Sequence, residues 1–255
     1  MFDCYIINLE SATDRWNATA EPFLALGLNV IRLPAIEGKD LTFPLPDFAS
    51  WRYFFWYGRK MTPNKVACYF SHIKALKTFL ETDKEYAMIC EDDVFPLPEL
   101  MDVLKDAMRY SGSWDLLRLN GIRATKGIRF AALSHGYHLC CDLKTKTGNG
   151  AKVVNRYAAE TIIKKCLPMR LPHDVTLFYD WPIGIREVTV QPFPIQLNAA
   201  TRQSSIGMSH RYPFFHPAIL RYPLQLTYRL YSRVVRYTSR FYWALRNYFC
   251  PPRPQ

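Results

Sequence analysis

Glu91-Asp92-Asp93 is the densest concentration of potential chemistry in the chain, three carboxylates directly behind the apolar run Glu85-Tyr-Ala-Met-Ile-Cys90. Such a run reads as a buried strand, so the acids belong at the carboxyl edge of a sheet, where open α/β folds bind ligands. Adjacent carboxylates repel one another unless a divalent cation compensates them. Oxygen ligands suit magnesium or manganese, and the ion could neutralise a departing nucleotide diphosphate. The same residues would also serve as a solvated acidic turn, or as caps for a helix beginning near Pro98.

The second chemical candidate is the pair Ser71-His72 in Val66-Ala-Cys-Tyr-Phe-Ser71-His72. A lone histidine on an apolar helix is more often a satisfied core group than a catalyst. Adjacency alone makes no hydrolase pair, and no G-x-S-x-G elbow occurs, which excludes serine hydrolysis.

The elements that must position these residues alternate. Cys4 to Leu9 reads as a strand, Ser11 to Gly27 as a capped helix, and Asn29 to Ile36 as a second strand. Gly38 to Met61, crowded with aromatic residues, reads as an ordered excursion over the active face or a loop packed on the core. A helix is predicted from Thr62 to Leu80, another from Leu97 to Tyr110, a strand over Trp114 to Leu119, and a glycine-bearing turn into a helix over Gly148 to Leu167. Val188 to Ile195 is a late extended segment. Strands alternating with helices imply an α/β fold with a mostly parallel central sheet.

Composition agrees with a folded protein: of 255 residues, 49% are hydrophobic and 15% aromatic. The seven cysteines are odd in number and lack a CxxC pair, which argues against a disulfide framework or a zinc knuckle and for a reducing, cytosolic compartment. No leader and no run of spanning length is expected.

With these residues in view, the chain resembles the family 25 glycosyltransferases. The resemblance rests on Tyr5-Ile-Ile-Asn-Leu9 with Asp14-Arg15, on Lys65 to His72, on Glu91-Asp-Asp93 behind its strand, on Gly150 to Ala159, and on Pro172-His-Asp174. It departs where Asn64-Lys65 replaces the family's usual Gly-Glu. The resemblance implies a GT-A-like nucleotide-sugar fold, a UDP-hexose donor, inverting transfer of galactose or glucose, and a lipooligosaccharide acceptor. It implies manganese or magnesium on Glu91 and Asp93, and donor contacts from Asn8, Leu9, Arg15, Ser71, His72 and Asp92. Inversion needs a base; Asp174, Asp180 and Glu187 are candidates outside the acidic trio, and Asp174 matches the family motif. Asp174 would serve equally as a cap, and Arg15 as a surface charge.

The formal net charge of +11 is mostly a property of the tail, for no acid follows Glu187 while nine arginines do. Leu224 to Phe249 reads as one long helix with Arg229, Arg233, Arg236 and Arg240 in a stripe beside an apolar arc from Leu226 to Tyr248. That pattern suits a helix at an anionic membrane surface. A helix packed on the domain with its arginines in water, or a nucleic-acid arm, are the other readings, the last lowered by the absence of any nucleic-acid motif. The expectation is therefore a catalytic domain over residues 1–207, a basic amphipathic helical extension over 208–255, and a peripheral place on the cytoplasmic face of the inner membrane, with no nucleic-acid partner. The competing class is a non-catalytic nucleotide-sugar-binding module at the membrane surface.

Overall fold

A computed structural model of the protein describes residues 2–57, 61–122, 127–143, 148, 150–177, 184–198 and 222–249. Its centre is an eight-stranded sheet in the order β2-β1-β3-β8-β5-β9-β7-β6. The strands are β1 (Asp3–Asn8), β2 (Asn29–Pro34), β3 (Tyr86–Glu91), β5 (Leu116–Arg118), β6 (Gly127–Ala132), β7 (His138–Asp142), β8 (Ala151–Asn155) and β9 (Glu187–Gln191). Following the pairings across the sheet, six strands run one way and β8 and β7 run against them. The α/β class and a mostly one-directional sheet are thus present. A short antiparallel pair, β4 (Val94–Pro96) with β10 (Ile195–Leu197), closes over the end of β3.

Helices cover both faces, because the buried strands carry apolar side chains on alternate sides. On one face α1 (Thr13–Ala25) and α4 (Leu100–Met108) pack Phe23, Leu100 and Leu104 against Met88, Cys90 and Val153. On the other, α3 (Pro63–Leu80) and α5 (Arg156–Cys166) pack Val66, Leu76, Phe79 and Ile162 against Ile89, Leu116 and Val154. Asn155 caps α5, its Oδ1 accepting from the Ala158 amide at 2.7 Å, a contact worth roughly 1 kcal/mol.

Several elements differ from the sequence reading. The aromatic excursion contains α2 (Ser50–Tyr57), which its lack of clean periodicity concealed. The hairpin β6–β7 was not foreseen, and β8 occupies what reads in sequence as a helix entry. Ser11 does not cap α1: the helix starts behind Ala12, whose carbonyl accepts from Asn8 Nδ2 at 3.1 Å.

The tail helix is α7 (Tyr222–Phe249), close to its predicted extent. No described helix is long and apolar enough to cross a membrane. The division between residues 207 and 208 lies outside the described residues. So does Asp180.

Candidate active site

β3 delivers Glu91 to the α3 face of the sheet and the turn after it carries Asp92 and Asp93, so three neighbouring acids take up three environments. Asp92 is fully engaged. Its Oδ2 accepts from Asn8 Nδ2 at 2.7 Å, its Oδ1 is paired with Arg15, and its backbone carbonyl accepts from Thr19 Oγ1 at 2.8 Å. Asn8 is itself saturated, since its Oδ1 accepts from Arg32 Nε at 3.0 Å and Nη2 at 2.6 Å. Asn8 therefore holds Asp92 and Arg32 in place. It is absent from the lining of either cavity beside the acids, where the sequence reading has it contacting the donor directly.

Glu91 belongs to a buried chain of charge and imidazole. Lys152, on β8 and fully buried, donates to His72 Nδ1 at 3.2 Å and to His173 Nε2 at 3.1 Å. The two rings stack with centroids 3.9 Å apart. Burial, then the Lys152 charge, pushes the His72 pKa well below the usual imidazole range, so the ring is neutral. An ammonium has no lone pair to offer, so Nδ1 must be the acceptor and the proton must sit on Nε2. Nε2 then donates to Glu91 Oε1 at 3.1 Å.

That tautomer also decides a metal question. Cys68, His72 and Glu91 have ligand atoms within 4.8 Å of one another, a grouping able to grip a soft cation. While Lys152 is charged, however, His72 Nε2 carries a proton and cannot coordinate. Burial lowers the Lys152 pKa only to about 8, so at neutral pH the ammonium prevails.

Asp93 is the acid left unfinished. Its Oδ1 is buried without a hydrogen-bond partner among the described residues. Burial first, then Glu91 and Asp92, push its pKa up to about 6. A buried oxygen of this kind wants a cation or a donor hydroxyl. Asp93 and the Glu91 oxygen not bonded to His72 are therefore the oxygens of the trio left to a hard divalent ion. Asp92 has both oxygens occupied.

Two cavities meet at these acids. The first, about 270 Å³, is walled by Leu9, Arg15, residues 35–39, Ser71, His72 and the acidic trio. Ser71 shapes its wall, donating to the Ala67 carbonyl and accepting from the Ile36 amide, each at 2.8 Å. Its hydroxyl thus serves the fold and forms no pair with His72. Gly38 must lack a side chain, because a Cβ there would lie 2.7 Å from the Asn64 backbone nitrogen and 2.9 Å from the Pro63 carbonyl carbon. The second cavity, about 350 Å³, is bounded by Tyr57, Lys65, Asn120, His173 and Asp174. Among the described residues, Cys68, Glu91 and Asp93 alone line both.

Asp174 lies in the first turn of the short helix α6 (His173–Leu177), with Oδ1 accepting from the Val175 amide at 2.9 Å. Burial raises its pKa, which suits a proton acceptor. Glu187 is no base: both oxygens are taken, one by Arg118 Nε at 2.6 Å and one by Arg240 Nη2 at 2.8 Å.

Lys152, His173 and Asn120 escaped the sequence reading. Asn120 Oδ1 is another buried oxygen without a partner among the described residues, and it borders the second cavity. The available signal was the lysine itself, standing in Ala151-Lys152-Val153-Val154 where a central strand admits a charge only with partners.

The sequence profile described as glycosyltransferase family 25 (LPS biosynthesis protein) matches residues 1–173. The chain belongs to glycosyltransferase family 25. Asp174 lies one residue beyond that match. Two proteins known as glycosyltransferase 25 family members, from Anopheles gambiae and Aedes aegypti, are each 31% identical to it over 126 residues. The matched stretch takes in 44% of this family 25 chain and 20% of those relatives' length. A glycosyltransferase involved in the glycosylation of the major capsid of PBCV-1 overlays 80% of this chain and 94% of its own, at 12% identity and a TM-score of 0.44. A likeness that loose carries no argument here.

Proposed function

We propose that this family 25 chain is an inverting glycosyltransferase that moves a hexose from a UDP-sugar to a lipid-linked saccharide of the lipooligosaccharide type. The observation that carries the reading is the position of Glu91 and Asp93 on the partition between two cavities. A displacement at an anomeric carbon needs that layout, with the leaving group on one side and the nucleophile on the other.

In this reading the donor diphosphate occupies the first cavity near Arg15, while Asp92, locked by Asn8 and Arg15, keeps the floor rigid. Magnesium or manganese on Glu91 and Asp93 would neutralise charge on the departing diphosphate. The acceptor sugar occupies the second cavity, where Asn120 Oδ1 offers an acceptor for one of its hydroxyls. Asp174 takes the proton from the attacking hydroxyl as its oxygen bonds to the anomeric carbon. The bond from that carbon to the diphosphate oxygen breaks and UDP leaves. His72 and Lys152 act behind Glu91, fixing its orientation.

The test is a panel of UDP-sugars with manganese or with EDTA, scored for UDP release with and without a saccharide acceptor. One hexose donor should be turned over, and chelation should stop it. Asp174→Asn should cut transfer by about 10²- to 10⁴-fold while leaving UDP affinity intact. Turnover indifferent to both chelation and Asp174→Asn overturns the reading.

A further inference from the structure

α7 is mounted the wrong way round for a helix on a water-soluble domain. The side it turns inward is mostly polar: Ser232, Arg236, Arg240 and Asn247 are buried beside the small Ala244. Arg240 Nη1 donates to the Asp142 carbonyl at 2.9 Å, and Arg240 Nη2 is paired with Glu187. The side it turns outward is apolar, with Leu226, Leu230, Val234, Phe241, Tyr242 and Phe249 each at least half exposed. Soluble helices show the reverse arrangement, and an exposed apolar strip of this length marks an interaction surface.

We propose that the outward face of α7 lies flat in the headgroup region of an anionic membrane. Charge selects that occupant. The exposed arginines Arg233 and Arg246 flank the apolar strip on either side, and the chain carries no acid after Glu187. An anionic bilayer supplies negative charge along the whole strip and apolar depth beneath it. A second copy of the chain would set arginine against arginine, with no carboxylate on either helix to relieve it. Arg236 and Arg240, half of the stripe seen in sequence, are spent on the domain and cannot reach lipid.

The surface is joined to the site. Trp56 of α2 stacks on Tyr228 with ring centroids 4.7 Å apart, and Arg229 donates to the Tyr57 carbonyl at 3.4 Å. Tyr57 also lines the second cavity. A helix seated on a bilayer would therefore hold that cavity beside the surface from which a lipid-linked acceptor projects. Only this last link rests on the proposed function.

Flotation of the full chain with liposomes tests the proposal without any reliance on catalysis. Vesicles of phosphatidylglycerol and phosphatidylethanolamine should carry the protein up the gradient; vesicles of phosphatidylcholine alone should carry far less. Leu230→Asp with Phe241→Asp should lower the bound fraction by about tenfold or more, and Arg233→Glu should weaken it further at low salt. Because the substituted side chains are exposed, far-UV circular dichroism and UDP release should be unchanged. Failure of the wild-type chain to float, or equal flotation of the Asp variant, overturns the proposal. So does a dimer in sedimentation that the Asp variant dissociates while vesicles capture nothing, which would give the face to a second copy.

Discussion

Two buried ionic networks lie on neighbouring strands of this sheet, Arg118 of one paired in register with Lys152 of the other, and they are built to opposite specifications. In the first, Glu187 at the start of β9 meets Arg118 from β5 and Arg240 from α7, and each carboxylate oxygen has a guanidinium. In the second, Lys152 holds His72 and His173 and His72 holds Glu91; beside it Asp93, which feels the Glu91 charge, has a buried oxygen unclaimed among the described residues. With both Glu187 oxygens taken, the first is a clamp. Incompleteness leaves the second an acceptor that a ligand can satisfy. Burial of charge alone therefore does not mark a functional site; the unfilled valence does.

The largest effect should come from breaking the clamp. Glu187→Ala strands two buried guanidinium groups and should cost about 3–5 kcal/mol in chemical denaturation, with intact donor chemistry in whatever fraction stays folded. If stability is unchanged, the network is not closed in the sense described. Next is Lys152→Met, which frees the His72 tautomer. It should lower turnover by about ten- to a hundredfold. The wild-type chain should lose activity above about pH 8, where Lys152 loses its proton, and the variant should show no such fall. A merely structural lysine would leave the shape of the pH profile alone.

Asp93→Asn should act in opposite directions on stability and activity. Removing a carboxylate that burial and two neighbouring acids disfavour should raise stability at neutral pH by about 1 kcal/mol, while metal-dependent UDP release is lost. A variant both destabilised and active would contradict the open-network account. The smallest effect is the pH slope. The Asp93 pKa is raised from 3.8 to about 6 by folding, so the stability linked to it is complete below the lower value and is lost as pH rises towards the upper. Activity should climb over the same interval as the carboxylate ionises. Asp93→Asn should flatten that part of the stability curve.

Much of the fold and the centre of the site were legible before any coordinates. β1, α1, β2, α3, β3 and α7 follow from local periodicity, and the acids after β3 are placed by the strand that precedes them. Elements without a clean period were not legible. α2 is almost wholly aromatic on all sides, β8 reads as a helix entry because a helix follows at once, and β6 is only partly buried. The second cavity was out of reach for a different reason. Its walls gather Tyr57, Asn120 and Asp174 from three separate parts of the chain.

By itself the sequence determined that three carboxylates leave a buried strand together and that the tail is a long two-faced helix, since both are properties of neighbours along the chain. Only the tertiary structure decided which acid is left wanting a partner, because that depends on Asn8 and Arg15 reaching Asp92 across more than 70 residues. It alone decided which face of α7 turns inward. A helical wheel defines two faces equally well, and the choice falls to the polar one because Glu187 and the Asp142 carbonyl wait beneath it to satisfy Arg240.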